Sequence, residues 1–433
     1  MISLFHLSMA SCLLTLSLCS SLPAADWLLA RATKLPTEYT NQESGYFSIV
    51  EGKNGKLYIG TAKYGVSAYL LEYDPKTDSA KMVMDVMAVI GSKATGFAAQ
   101  SKIHTRNNVG ESGKIYVGSK QGYPEKGEAR DLYPGGYVLI HDPATGKNEH
   151  FGIAKPKHGI ISVTPDESRG LIYLSTCSDD RPIDHTHFMI LDVKTKEYWD
   201  LGDMQHSYAF IVVDYLGRAF HPVRGGLIAR YTPPPGPLSK ERLEGGKLEK
   251  LKISVDGQAP PTALTKDGAI QNWEISPDRK TLFCIEMTTN QLYSFDLRAS
   301  GDTIPGKTLG PILPKAKQTD CRAMCVGADG TVWAAVSELG QPQGQLLHLV
   351  GCQPGKAPHD FGPVGIANPD FTTFTDAAGK PKPWHHTIRK EKDGTLAPWQ
   401  PMGVCAAYNG SAVYIYTIAP LTLLRFERKT LGQ

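Results

Sequence analysis

The chain has 433 residues, enough to bury one large hydrophobic core or two ordinary ones. Its formal net charge of +3 excludes a strongly basic nucleic-acid binder and an acidic tail as descriptions of the whole chain. With 41% hydrophobic and 21% charged residues, 43 Gly and 30 Pro, the composition is that of a turn-rich globular protein and favours short strands over a helical bundle.

The first segment differs from the rest of the chain. Residues 1–25 contain no Lys, Arg, Asp or Glu, and a leucine-rich stretch leads to Pro23-Ala24-Ala25. A short apolar stretch followed by small residues is typical of a cleavable secretory signal. The alternative, a membrane anchor, is disfavoured because serines interrupt a stretch that is already short for a bilayer. We therefore predict a signal peptide at 1–25, a folded unit at 26–433, and a secreted or periplasmic protein without membrane contact after signal removal.

A short strand that carries an aromatic residue and follows a turn recurs along the remaining chain. Gly113-Lys114-Ile115-Tyr116-Val117 is one copy, and Gly330-Thr331-Val332-Trp333 is another. The anchor aromatic residues recur at intervals of roughly 50 to 80 residues, a spacing typical of propeller blades with loop insertions. The seven anchors are Tyr58, Tyr116, Tyr173, Phe220, Phe283, Trp333 and Tyr414.

Residues 160–202 show the whole repeating unit, which is four successive strands joined by turns. Seven such units predict an all-β fold, a single seven-bladed β-propeller with four-stranded blades. The last unit supplies only three strands, and a strand near 27–34 is expected to provide the fourth and close the ring. The Pro-rich stretch between Pro354 and Pro401 is interpreted as a long surface loop, not a second domain.

Six cysteines follow the predicted signal, an even number that permits disulfides in an exported protein. Cys321 and Cys325 lie four residues apart on one predicted strand and are too far apart to bond each other. Because six cysteines are few for a fold of this size, we favour buried free thiols.

The topology of a blade sorts its connections onto two faces. The turns between strands one and two and between strands three and four lie on one face, here called the turn face. The loops between strands two and three, and the links between blades, lie on the other, here called the loop face. The long polar connections of this chain fall on the loop face, so a functional site is expected there, around the central channel.

Titratable and polar side chains concentrate on the loop face of blades two to four. A histidine in such a loop is often a structural hydrogen-bonding residue, and an isolated tyrosine is often part of the core. His185 and His187 are placed on one face of a strand, as metal ligands sometimes are, but no third ligand is fixed by the sequence. We assign no metal and leave a structural divalent ion open. The site candidates are His104, Gln121, Tyr123, His158, His206, Tyr208, His221 and Arg224.

These residue types are better suited to an elimination reaction than to hydrolysis. The sequence contains no nucleophile elbow, phosphate loop, HExxH or CxxC motif, and no basic stripe for nucleic acid. Arg can neutralise a substrate carboxylate, while Tyr or His removes the proton alpha to it and protonates the leaving oxygen. This is β-elimination on a uronate sugar, with Tyr208 as the expected general base and Arg224 as the cation that favours its phenolate.

The combination of Lys102-Ile103-His104, Tyr208 and Arg224 in a predicted seven-bladed propeller resembles the propeller polysaccharide lyases, especially the ulvan lyases. The oligogalacturonate lyases are more distantly similar. In ulvan lyases a His and a Tyr perform the acid–base steps, and an Arg sixteen residues after that Tyr faces the substrate acid. The resemblance implies these roles for His104, Tyr208 and Arg224. The family's second His is replaced here by Gln121 and Tyr123.

The sequence thus predicts an exported lyase that cleaves a uronate-containing polysaccharide or oligosaccharide by β-elimination. Its catalytic residues would be Tyr208 and His104. Substrate-binding roles are expected for Arg224, Gln121, Tyr123, His158, His206 and His221. Two alternatives remain: a non-catalytic propeller that binds a glycan or a protein on the same face, and a metal-dependent lactonase or hydrolase. The second alternative ranks lower because carboxylates are few near the clustered sector.

Overall fold

The computed structural model describes residues 26–36, 38–39, 43–178, 185–206, 210–235, 245–341, 344–368, 388–417 and 421–432, with the backbone alone at 43–46. The predicted signal at 1–25 lies outside these ranges. Within them, strands dominate. The helical elements are short: α1 (Val86–Val89), α2 (Thr262–Thr265) and 3-10 turns at Gly96–Ala98, Arg130–Leu132 and Arg428–Leu431. No helix in the described ranges has the length and apolar character to cross a membrane.

The described strands form seven blades, and in each blade the first strand is innermost. A separate strand, β1 (Leu28–Lys34), precedes them. Blade one contains β2 (Glu43–Glu51), β3 (Leu57–Ala62), β4 (Tyr69–Asp74) and β5 (Ser79–Asp85). The short strand β6 (Lys102–Ile103) follows. Blade two contains β7 (Asn108–Val109), β8 (Ile115–Lys120), β9 (Tyr137–His141) and β10 (Asn148–Ile153). Blade three contains β11 (Gly159–Asp166), β12 (Leu171–Cys177), β13 (His187–Asp192) and β14 (Tyr198–Asp203).

The same four-strand pattern continues through the second half of the chain. Blade four contains β15 (Val212–Val213), β16 (Ala219–Val223), β17 (Leu227–Thr232) and β18 (Lys247–Val255). Blade five contains β19 (Gln271–Ile275), β20 (Thr281–Glu286), β21 (Gln291–Asp296) and β22 (Thr303–Pro311). Blade six contains β23 (Thr319–Val326), β24 (Val332–Gln341), β25 (Gly344–Cys352) and β26 (His359–Ile366). After β27 (Ile388–Lys390) and β28 (Leu396–Pro398), blade seven contains β29 (Pro401–Ala406), β30 (Ala412–Thr417) and β31 (Thr422–Glu427).

The recurring turn before each anchor strand has a backbone cause. Gly113 and Gly170 close the first hairpins of blades two and three with φ of 87° and 70°, a region that glycine enters without steric cost. Blade five uses Arg279 with φ 56° at the matching position. The sequence repeat is therefore a repeat of turn geometry, and a non-glycine residue can replace the glycine once the flanking strands fix the turn.

The core lies between neighbouring blades. One buried cluster joins Tyr116 and Ile140 of blade two to Ile160, Ile172 and Leu174 of blade three. Burying such side chains is worth about 25 cal/mol per Å² of apolar surface. Each blade is therefore stabilised mainly by its neighbours, which makes closure of the ring important.

Closure occurs within blade seven, as the sequence predicts. β1 pairs antiparallel with β31, so that Ala32 lies opposite Leu424, and it also runs parallel to β26 of blade six. Asp78 of blade one accepts hydrogen bonds from Thr33 and Arg31 of β1 at 2.6 and 2.9 Å. The strand from the beginning of the chain therefore joins blades six, seven and one.

Two expectations about the second half of the chain have different outcomes. The interpretation of Pro354–Pro401 as a loop is wrong for its described parts, because β26 lies there and a β27–β28 hairpin pairs with β26. Prolines at strand ends and on added edge strands do not interrupt the hydrogen bonds of a central strand, so these strands tolerate them. A Pro-rich composition is nevertheless typical of a loop, and the strands were therefore not predicted. The six cysteines in the described ranges are free thiols, as favoured, and Cys321 and Cys325 both lie in β23.

Candidate functional site

The loop-face ends of the innermost strands are irregular. Register shifts occur near the starts of β2, β11, β23 and β29. A bulge redirects side chains and often lies next to a functional site. In β2 the shift includes Phe47, whose φ of 45° is a strained value for an aromatic residue. Register shifts also occur between outer strands, for example between β9 and β10.

Two connections meet at the channel through the ring of Phe47. The His104 ring centroid lies 6.1 Å from that of Phe47, and the Phe210 centroid lies 4.9 Å from it. His104 precedes the innermost strand of blade two and is only 2% exposed, and Phe210 lies two residues before β15 of blade four. The links that carry these residues therefore converge, although they are about a hundred residues apart in sequence.

Arg106 connects the same links to blade five. Its guanidinium lies 4.3 Å from the Phe210 ring centroid, donates to the Trp273 carbonyl and the Asn272 side chain, and lies 3.2 Å from a Glu274 carboxylate oxygen. Burial lowers the pKa of Arg106, and Glu274 opposes that shift. Arg106 thus links the connection before blade two to blade five across the channel.

A cavity of about 190 Å³ lies between the innermost strands. Glu51, Arg106, Glu274 and Arg322 contribute its charged groups, while His104 and the other predicted histidines are not among its lining residues. Burial raises the pKa of Glu51, whose carboxylate accepts a hydrogen bond from the Tyr408 backbone. Positive and negative groups are balanced here, so this cavity shows no preference for an acidic ligand.

Two lysine side chains meet on the loop face of blade two. Lys102 and Lys120 are opposite each other in the β6–β8 pairing and are 3% and 2% exposed. The Lys120 ammonium lies 3.5 Å from the Cys177 sulfur. Gln121 is buried beside them, whereas Tyr123 is 54% exposed. Of the predicted blade-two residues, Tyr123 is therefore the one most accessible to a ligand.

Blade three carries a row of polar side chains along its loop-face edge. His158 Nδ1 lies 3.1 Å from Thr176 Oγ1, which also accepts from the His187 backbone N–H at 3.1 Å. His187 Nδ1 is 2.9 Å from Asp200, and the His158 and His187 rings meet edge to face at 5.4 Å. The row runs from the inner strand to the outer strand, so His187 lies towards the rim of the blade and His158 towards the channel.

His185 and His187 each bind a carboxylate. His185 Nδ1 lies 2.7 Å from Asp203, and His187 binds Asp200. Burial alone would raise the pKa of Asp200, but hydrogen bonds from His187 and Lys155 hold it below its usual value. In the part of the chain that the structure describes, no group of three or more His, Cys, Asp or Glu residues is arranged to hold a metal ion.

His221 lies inside blade four and is fully buried. Its Nε2 is 3.0 Å from Ser175 Oγ, its Nδ1 is 2.6 Å from the Pro222 carbonyl, and its ring stacks on Phe188 at 5.2 Å. Burial lowers the pKa of His221 to about 3, so the ring is neutral at physiological pH. The expected substrate-binding role is not compatible with this position, because neither ring nitrogen faces solvent.

Arg224 lies on the surface beyond the end of β16. Its guanidinium binds Asp267 through two hydrogen bonds of 2.7 and 2.6 Å, and this interaction raises the pKa of Arg224. The two side chains are 44% and 52% exposed. The Arg224 guanidinium is therefore already engaged by a carboxylate of the chain. His206, also predicted for the site, is 5% exposed, and its carbonyl accepts a hydrogen bond from Thr186.

Tyr208 and residues 179–184 lie outside the described residues. The described neighbours of Tyr208 are His206 and Phe210, and Phe210 belongs to the Phe47 contact. Sequence analysis missed Phe47 and Lys120. A lysine in a strand that is otherwise apolar or small, such as Lys120 at the end of β8, is a signal that could have identified one of them.

Comparison with known proteins gives the fold alone. No family model matches the chain, and no curated protein matches it. Among solved structures, the β-propeller domain of Myceliophteria thermophila Cps50 (Swd1) is similar with a TM-score of 0.51 and 10% identity, over 91% of this chain and 99% of that one. A chain of the mitotic checkpoint complex matches with a TM-score of 0.48 and 9% identity, over 99% of this chain and 98% of that one. The chain is a β-propeller, and such low identity says nothing of its activity.

Proposed function

We propose that this propeller is an exported lyase that cleaves a uronate-containing glycan by β-elimination on its loop face. The observation that carries the proposal is the contact of Phe47 with both His104 and Phe210. It brings the link that contains His104 to the link that contains Tyr208. The two residues expected to move protons thus belong to connections that meet at the channel.

The reaction needs a base, an acid and a cation. The base removes the proton on the carbon next to the uronate carboxylate, and the C–H electron pair forms a carbon–carbon double bond. The bond to the glycosidic oxygen breaks, and that oxygen receives a proton. Tyr208 is assigned as the base, His104 shares the proton transfer, and Arg224 neutralises the carboxylate so that the proton becomes acidic.

The test is the ultraviolet absorbance of the unsaturated uronate, a product that elimination forms and hydrolysis does not. Purified protein is assayed on a panel of polyuronates together with Tyr208→Phe, His104→Gln and, as control, Tyr215→Phe on the turn face. Turnover should fall by about 10²–10⁴-fold in the two loop-face variants and stay unchanged in the control. Full activity of Tyr208→Phe would refute its role. A wild-type protein that binds polyuronates without forming product would instead be a glycan-binding propeller.

A further inference from the structure

Glu51 is a buried carboxylate at the turn-face end of the channel. It is the last residue of β2, it is only 6% exposed, and it lines the cavity of about 190 Å³. Its side chain accepts a hydrogen bond from the Tyr408 backbone, and no Lys, Arg or His of the described ranges forms an ion pair with it. A buried carboxylate without a counter-ion is costly, so a cation that enters the cavity would gain a strong partner.

The two arginines that line the cavity are engaged by other acidic groups. Arg106 lies 3.2 Å from a Glu274 oxygen, and Arg322 Nε donates to Asp320 at 2.9 Å. Within the described residues, the cavity and its ion pairs therefore contain three carboxylates and two guanidinium groups. The excess negative charge belongs to Glu51, and burial raises the pKa of Glu51, as expected for a carboxyl group that no cation stabilises.

The rest of the lining suits an organic ammonium ion. The Asn108 amide nitrogen donates to a backbone carbonyl of blade three at 2.7 Å, so the amide oxygen is available as an acceptor. The Tyr408 side chain also lines the cavity and is 54% exposed, which places an aromatic ring at the solvent mouth, where it can contact a cation. Apolar side chains form a further part of the wall: Val50, Met324 and Val326.

We propose that the turn-face end of the channel binds a small organic ammonium ion, with Glu51 as its counter-ion. The ammonium group donates to the Glu51 carboxylate and to the Asn108 oxygen, and the alkyl part packs against the apolar wall. A cavity of roughly 150 Å³ holds a molecule the size of benzene, so a primary amine with about four carbon atoms has a suitable size. This inference does not depend on the lyase proposal, because the site lies at the end of the channel opposite the loop face.

The experiment is a calorimetric titration of the wild-type protein at pH 7 with n-butylamine and with n-butanol, which has the same size but no charge. The amine should bind at least about ten-fold more tightly than the alcohol. Glu51→Gln keeps an acceptor for the Tyr408 N–H but removes the charge, so it should weaken amine binding by about ten-fold or more. Glu111→Gln changes an exposed glutamate in the first turn of blade two and should leave the Kd unchanged.

Three results would overturn the proposal: no binding of n-butylamine to the folded wild type, equal affinity for the amine and the alcohol, or unchanged amine binding in Glu51→Gln. Displacement of the amine by equimolar potassium chloride would also overturn it, because the site would then select an inorganic cation. The comparison of amine with alcohol needs no variant, so the test is decisive even if Glu51→Gln fails to fold. Thermal unfolding establishes that each protein is folded before titration.

Discussion

His221 makes stability sensitive to acid. Its pKa of about 3 in the folded protein lies below the value near 6.5 of an unfolded chain. The unfolded state therefore binds the proton first, and the stability from this residue is complete above about pH 6.5 and is lost as the pH falls towards 3. We expect His221 to account for about 2 kcal/mol of the loss between pH 7 and pH 5.

The measurement is urea unfolding at both pH values for the wild type and His221→Gln. The variant is expected to be less stable at pH 7, because it disturbs the contacts to Ser175 and Pro222. The informative quantity is the pH-dependent difference, which should shrink by about 2 kcal/mol in the variant. An unchanged difference would show that His221 titrates normally.

The ion pair between Arg224 and Asp267 is expected to affect substrate binding. Asp267 occupies the guanidinium that is expected to bind the substrate carboxylate. Asp267→Asn removes the competing charge and should lower KM several-fold at nearly unchanged kcat, with Asp256→Asn as a control on an exposed acidic residue away from Arg224. A KM that stays constant or rises would argue that Arg224 has no contact with the substrate.

The sequence reveals some residues of the site and misses others for physical reasons. His104 is identifiable because a polar residue lies on a link before an anchor strand. The contacts of Tyr64 in blade one with Lys102 and Tyr123 join two blades, and sequence spacing does not encode such contacts. The sequence position of His221 is misleading, because its spacing from the turn does not show whether the ring faces solvent or the interior of the blade.

At the scale of elements, β1 offers a matched pair of positions. Ala30 is fully buried between β26 and β31, whereas its neighbour Leu29 is 55% exposed because alternate residues of a strand face opposite sides. Ala30→Glu should cost about 3 kcal/mol or more, since it buries an uncompensated charge at the closure. Leu29→Glu should be nearly neutral. Comparable melting temperatures of the two variants would contradict the closure by β1.

Strands were predictable from the sequence where the same hairpin recurs from blade to blade. The seven anchor strands follow turns of similar geometry, so their periodicity is visible in the sequence. β6 and the β27–β28 hairpin are too short to show an alternating pattern, and they form because neighbouring strands offer free edges. Tertiary pairing, not local propensity, determines these additions.

At the scale of the whole molecule, the free thiols report on the integrity of the ring. Burial raises the pKa of the Cys405 thiol to about 12 and also raises the pKa values of the Cys284, Cys321 and Cys325 thiols. An aromatic disulfide reagent should therefore react slowly with the native protein and rapidly with all six cysteines of 26–433 after unfolding in guanidinium. Fewer than six reactive thiols in the unfolded, unreduced protein would show that disulfides exist.

The pairing of β1 with β31 also sets the order of events during biosynthesis. β1 precedes every blade in the chain, and its antiparallel partner β31 is the last propeller strand in the described ranges. The closed ring therefore cannot form on a partly synthesised chain, and the contact that completes it has one of the longest loop separations in the molecule. The ring therefore closes only after β1 and β31, which lie at opposite ends of the propeller sequence, are both available for pairing.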